Sequence, residues 1–327
     1  MKALVGAGSL LISGKEALAN PINDQEVKAV NLKIRCTTEI LAPPKGENIK
    51  IWAPVPSNDN DQEISGFHVM SRFGHEMTEA PDSRNRMLFL KPGSLGAGEI
   101  ITLTYRLRRK TAGAGKDPME KPKRHMDPSE WERWDASIKK FADELVGNER
   151  DPVKIGRKIY NAIIDRVSYV NEACGRGVST LTFEERAGRC DEVHALFRSM
   201  MMCKGIPVKW EQGIVFPYPS AIEKKGTFEA DCLNARSWVS FYIGGNRWMP
   251  ADLTEAKIRP DLRDFCFGRL PANRVKMSGG RGLQLNPKQE GIINTFPYTY
   301  MEADGIPLIY GHHYRNVVTY EMTRMEK

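Results

Sequence analysis

From residue 27 to residue 107 apolar and polar positions alternate. Val30, Leu32, Ile34 and Cys36 take turns with Asn31, Lys33 and Arg35. A period of two sends one set of side chains to a buried face, as in a half-buried strand. Residues 49–52, 87–90 and 101–105 predict further strands, and Pro43-Pro44-Lys45-Gly46 and Lys91-Pro92-Gly93 predict turns. Short strands broken by frequent turns point to an antiparallel β-sandwich over residues 20–107.

The pattern then breaks and changes period. Thr111-Ala112-Gly113-Ala114-Gly115 reads as flexible, and Lys121-Pro122-Lys123-Arg124 cannot sit inside a helix, so 108–127 is expected to be a basic linker. Asp127-Pro128-Ser129-Glu130 combines a cap residue, an early proline and an acidic first turn, which predicts a helix start. Trp131, Trp134, Ile138, Phe141 and Leu145 would share its buried face. Asp151-Pro152 opens a second helix carrying Ile155, Ile159, Ile163 and Val167. A third begins at or near Cys190 and buries Val193, Leu196, Phe197, Met200 and Met201, with Gly205 and Pro207 ending it. Strand patterning returns at 208–215, 238–243 and 247–249. Residues 128–327 therefore read as an α+β domain behind the sandwich.

Composition narrows the setting. The chain has 327 residues with a formal charge of +7. Leaving out residues 1–19, the charge is +6, and the stretch 106–124, with eight basic and two acidic residues, carries all of it. A charge excess confined to one stretch, with no nucleic-acid-binding motif, argues against a nucleic-acid partner and for a solvated arm that can touch an anionic surface. No apolar run reaches the roughly 18 residues of a membrane-spanning helix. Lys2, the apolar stretch 3–14 and Ala17-Leu18-Ala19 form a signal-peptide pattern over 1–19, which implies export to a periplasmic or extracellular space; the alternative is an ordinary extension on a cytoplasmic protein. The six cysteines show no CxxC pair and no zinc spacing, and no acidic loop has calcium-binding form, so neither metal nor cofactor is expected.

The chemistry concentrates in Gly188-Arg189-Cys190-Asp191-Glu192-Val193-His194-Ala195-Leu196-Phe197. Gly188 breaks the preceding structure and leaves Cys190 at a helix N-terminus, where unsatisfied N–H groups favour the nucleophilic thiolate. Asp191 and Glu192 partly oppose it. Gly188, Cys190, Leu196-Phe197 and Gly205-Ile206-Pro207, followed by Trp238-Val239-Ser240-Phe241-Tyr242 and Trp248-Met249-Pro250-Ala251-Asp252, resemble the core signature of the transglutaminase-like superfamily. The likeness extends through Phe267-Gly268, Arg274, Gly280-Arg281 and Pro287, and covers most of residues 30–305. It implies a papain-like core with a Cys-His-Asp triad. There a thiolate attacks an amide or ester carbonyl, a histidine shuttles protons and an aspartate orients the histidine.

Two of the three triad positions match, as Cys190 and Asp252. The histidine position, two residues before Trp238, holds Arg236, and residues 195–311 contain no histidine. An always-protonated guanidinium cannot take the thiol proton. The resemblance makes Arg236 an expected ion-pair partner of Asp252 beside Cys190. His194, four residues after Cys190 on the same helical face, is a candidate substitute base, with a structural role as its alternative. His312 and His313 could fold back over the cleft. Shifting Asp231-Cys232 into register supplies no histidine either. Two functions remain open: thiol-dependent acyl transfer or amide/ester hydrolysis with Cys190 as an impaired nucleophile, or an inactive protein that binds peptides or envelope components in the old cleft.

Overall fold

A computed structural model describes residues 23–170, 175–221 and 223–327. The signal-like segment 1–19 and Cys174 lie outside the described residues. Two five-stranded antiparallel sheets form the expected sandwich, but the C-terminal end of the chain completes both. The first has the order Lys225–Glu229, Tyr314–Glu326, Ala29–Ile40, Ile100–Lys110, Gln62–Met70. The second runs Ile306–Pro307, Tyr300–Ala303, Ile49–Val55, Arg86–Leu90, His75–Glu79. Ile40, Ile51, Val55, Leu88, Leu90, Ile101, Leu103 and Met301 fill the space between them. The alternation at the start of the chain does what its period requires: Val30, Leu32 and Ile34 are buried.

A third antiparallel sheet belongs to the core domain, in the order Arg274–Gly279, Val208–Val215, Ala235–Tyr242, Arg247–Ala251, Gly115–Lys116. One face packs on the first sheet through Ile214, Val275 and Met277 against Leu32, Ile34 and Tyr105. The other carries the helices α1 (Ala136–Val146), α2 (Pro152–Arg166), α3 (Ser179–Glu185), α4 (Cys190–Cys203) and α5 (Leu253–Ile258). Phe197, Met200 and Met201 of α4 meet Val208, Val239 and Phe241 of the sheet. The layers are thus sheet, sheet, sheet, helices. Gly213 sits where a neighbouring strand comes close: a methyl group there would lie 1.9 Å from the Val275 carbonyl oxygen.

Three expectations are corrected. The first helix of the core starts at Ala136, because Asp135 caps it by accepting from the Ile138 amide (2.8 Å). Residues 130–132 form only a short 3₁₀ turn, although Ser129 and Glu132 bond to each other across it as a capping box would. The stretch 108–127 is not a free linker. Strand Ile100–Lys110 runs into it, Ala112–Gly113 pairs with Arg269–Leu270, and Gly115–Lys116 extends the core sheet. Its charge is also partly neutralised. Arg108 bonds Glu326 (2.7 Å), Arg124 pairs with Glu120 (3.6 Å), and buried Arg109 lies 4.0 Å from Asp59. Lys276 binds Asp59 and Glu211, so the sandwich and the core meet through a shared charge cluster. Finally, residues 20–107 do not hold the whole sandwich, since Tyr314–Glu326 lies beside Ala29–Ile40 inside the first sheet.

A sandwich split between the two ends of the chain cannot form from the first half alone. Residues 23–110 expressed by themselves are expected to show no cooperative thermal transition by circular dichroism, whereas the full chain shows one. A cooperative transition in the fragment would establish the first half as an autonomous domain.

Candidate active site

Helix α4 begins at Cys190 as the sequence predicts. Its first turn is held by Glu192, which reaches back to accept from the Arg189 amide (3.0 Å) and the Gly177 amide (2.8 Å). Gly188 is needed for that reach, since a Cβ there would stand 2.3 Å from Cβ of Glu192.

The Cys190 side chain is buried, with the residue 4% exposed. Sγ lies 3.8 Å from Asp191 Oδ1 and 4.0 Å from the Ala235 carbonyl oxygen. Asp191 Oδ1 also accepts from the Ser237 hydroxyl at 2.8 Å. Burial, and next the Asp191 charge, push the thiol up to about 12, while Arg236, the Ser237 backbone and Arg189 pull less strongly the other way. The expected helix-terminus activation is therefore outweighed: loss of water around the sulfur costs the thiolate more than the helix end returns.

His194 is brought within reach of the site but not offered to the thiol. Its imidazole is fully buried. Nδ1 donates to the Cys190 carbonyl (2.8 Å), and Nε2 accepts from the Leu253 amide (3.0 Å). These two bonds fix a neutral ring protonated on Nδ1 and use both nitrogens on backbone. Burial also lowers its pKa, against the pull of nearby Asp252. Both ring nitrogens thus bond backbone groups, and Nε2 also lies 3.6 Å from Asp252 Oδ1.

Asp252 is likewise buried and committed. Oδ1 caps α5 through the Glu255 amide (2.9 Å), and Oδ2 takes Nη1 of Arg274 (2.8 Å). The expected Arg236–Asp252 pair is thus replaced by Arg274–Asp252. The registers explain it. Val239 faces Ala251 across the ladder, so Arg236 projects beyond the end of that pairing while Asp252 turns away into its cap. Arg274, with no exposure, lies over the Trp238 ring at 4.8 Å and also approaches Glu255 at 3.7 Å. Glu255 accepts from the Tyr218 hydroxyl, and burial with the Asp252 charge raises its pKa.

Arg236 Nη1 donates to the Tyr169 hydroxyl (3.0 Å) and the Leu233 carbonyl (3.3 Å). Buried Arg189 donates to the Cys232 and Leu233 carbonyls (2.9 and 2.7 Å). Sequence reading missed Arg189 and Tyr169 as site residues. The signal for Arg189 was its place immediately before the cysteine, and Tyr169 carried none. His312 and His313 sit in the loop before the last strand, where His313 Nδ1 accepts from the Ile309 amide (2.9 Å). Cys232 is disulfide-bonded, whereas Cys36, Cys190, Cys203 and Cys266 are free.

Two outcomes are expected. Iodoacetamide, followed by peptide mapping, should label Cys190 more slowly than a free thiol from about pH 7 to about pH 9.5, with full labelling after unfolding in urea. Faster-than-free labelling near pH 7 would mean an activated thiolate. The same burial makes the fold lose stability as pH rises through the ordinary thiol range, because there only the unfolded chain releases the proton. His194→Ala should cost roughly 3 kcal/mol in urea denaturation, since it strands a buried amide and a buried carbonyl and leaves a void.

Comparison with known proteins agrees with this architecture. Residues 139–253 match the family model for the transglutaminase-like superfamily, a span that includes Cys190, Arg236 and Asp252. An uncharacterised protein of Haemophilus influenzae is 24% identical over 359 residues, covering 94% of this chain and 95% of its own. The crystal structure of a candidate cysteine protease from Cytophaga hutchinsonii superposes with a TM-score of 0.54 at 15% identity, covering 90% of this chain and 98% of that one. The periplasmic domain of TgpA from Pseudomonas aeruginosa aligns at a TM-score of 0.39 and 15% identity, covering 73% of this chain and 92% of its own. The α+β fold built around Cys190 is thus similar to that of the Cytophaga hutchinsonii protein, and residues 139–253 match the transglutaminase-like superfamily model.

Proposed function

We propose that this chain is a non-hydrolytic transglutaminase-like protein, which holds a peptide or protein segment at the old cleft without cleaving it. The observation that carries this reading is the commitment of both potential triad partners. His194 gives both ring nitrogens to backbone, and Asp252 gives one oxygen to a helix cap and the other to Arg274. Arg236, at the histidine position, has no lone pair to accept a proton. Burial pushes the Cys190 thiol up to about 12, so the thiolate is scarce at neutral pH. Losing the general base removes a further factor of roughly 10² to 10⁴. Together these disfavour formation of an acyl-enzyme.

A groove of peptide scale supports the binding half of the reading. It measures about 1510 Å³ and lies where the sandwich meets the core, between the 82–86 turn and residues 280–293, with Trp131 and Trp210 on its wall. Arg281 lines it and bonds the Gly177 carbonyl (3.0 Å), and the Gly177 amide in turn bonds Glu192 of the Cys190 helix. The groove therefore borders the segment that braces the start of α4. The test is turnover of a panel of fluorogenic peptide amides and activated esters by wild type and Cys190→Ala. Equal, background-level rates are expected. Turnover that disappears in Cys190→Ala would make the chain an enzyme and end this reading.

A further inference from the structure

Arg274–Gly279 is the outermost strand of the core sheet, so among the described residues one of its edges has no neighbouring strand. An edge of bare N–H and C=O groups inside the molecule has to be met by other polar groups. Two primary amides of the sandwich meet it. The Gln62 side chain donates to the Lys276 carbonyl (2.9 Å) and accepts from the Lys276 amide (2.7 Å). The Asn85 side chain donates to the Gly279 carbonyl and accepts from the Gly279 amide, both at 2.8 Å. A carboxamide carries a donor and an acceptor side by side. Each one therefore reproduces the pair of bonds that a residue of an antiparallel neighbour would make. Gln62 opens strand Gln62–Met70 of the first sheet, and Asn85 stands just before Arg86–Leu90 of the second. Both sheets of the sandwich are thereby fastened to one strand of the core.

The two fastenings are unequal. Gln62 is 1% exposed, and its amide group also donates to the Ser57 carbonyl (2.9 Å). Its partner Lys276 is held a second time, by its ammonium group on Asp59 and on Glu211 (3.4 Å). The Asp59 amide in turn bonds the Gln62 carbonyl (2.9 Å). Asn85 and Gly279 are uncharged, and both line the groove between sandwich and core, whereas Gln62 stays outside it. Beyond Gly279 the chain leaves the sheet through Gly280, at φ +88°, a conformation that glycine adopts readily. Residues 280–293 then form the far wall of the groove. We infer that this seam is a hinged clasp. Gln62 on Lys276 is the hinge, and Asn85 on Gly279 is the latch. Releasing the latch widens the groove while the rest of the fold stays intact. Opening starts at Gly279 because fewer bonds have to break there. The clasp is a property of the groove's walls and holds whatever the groove takes up.

Met277, between the two fastened residues, reports on the opening. It is 5% exposed, packs among the apolar residues of the seam and lines the groove. Residue-resolved hydrogen exchange on the full wild-type chain should show the Gly279 amide exchanging at least about tenfold faster than the Lys276 amide, after correction for intrinsic rates. Dilute hydrogen peroxide, followed by peptide mapping, should oxidise Met277 at least about threefold faster in Asn85→Ala than in wild type. Met200 and Met201, wholly buried between α4 and the core sheet, should keep their wild-type rates. That control separates release of the latch from a general loosening. A Lys276 amide that exchanges as fast as the Gly279 amide, or faster, overturns the inference, and wild type alone decides it. So does oxidation of Met277 at the wild-type rate in Asn85→Ala that circular dichroism shows to be folded. A rise shared equally by Met200 and Met201 overturns it as well.

Discussion

The imidazole of His194 ties the first turn of α4 to the first turn of α5, and the rest of the site is arranged around that tie. One nitrogen holds the carbonyl of Cys190 and the other holds the amide beside Asp252. In a dry junction each of those backbone groups would be expensive to leave unmet, so a side chain able to donate on one side and accept on the other is required. Neutral histidine is such a group. Its use as a brace is what withdraws it from acid–base work. The same ring lies beside Asp252, with Nε2 3.6 Å from Oδ1.

Asp252 obeys the same constraint. A buried carboxylate needs several partners, and it finds an amide at the end of α5 and a guanidinium from Arg274, which is itself wholly buried. Arg236 then stands outside this network, on Tyr169 and the Leu233 carbonyl. The two arginines divide labour by position. Arg274 neutralises charge inside the core, and Arg236 is half-buried.

Local signals in the sequence located the elements that place the nucleophile. Gly188 and the apolar spacing from Val193 to Met201 marked α4, and Asp151-Pro152 marked α2, because caps and periodicity are properties of a few neighbouring residues. The first core helix was misplaced because two cap residues, Asp127 and Asp135, compete within eight positions, and only packing decides between them. Strands 62–70 and 75–79 at the sheet edges went unread: with much of their length exposed, they lack the alternation that betrays a half-buried strand. The partner of Asp252 was not legible at all. Arg236 and Arg274 are equally near in composition, and the choice depends on a strand register set by distant residues. The same holds for the basic stretch, whose counterions Asp59 and Glu326 arrive from two separate parts of the chain.

The pairing of Ala29–Ile40 with Tyr314–Glu326 has a consequence for how the molecule comes into being. The strand Ala29–Ile40 is made well before Tyr314–Glu326 and waits for it. Until then its apolar face and one hydrogen-bonding edge have no permanent cover. Such wide sequence separation slows folding and prolongs exposure to aggregation. The sandwich therefore closes only after the segments lying between these two strands have been made.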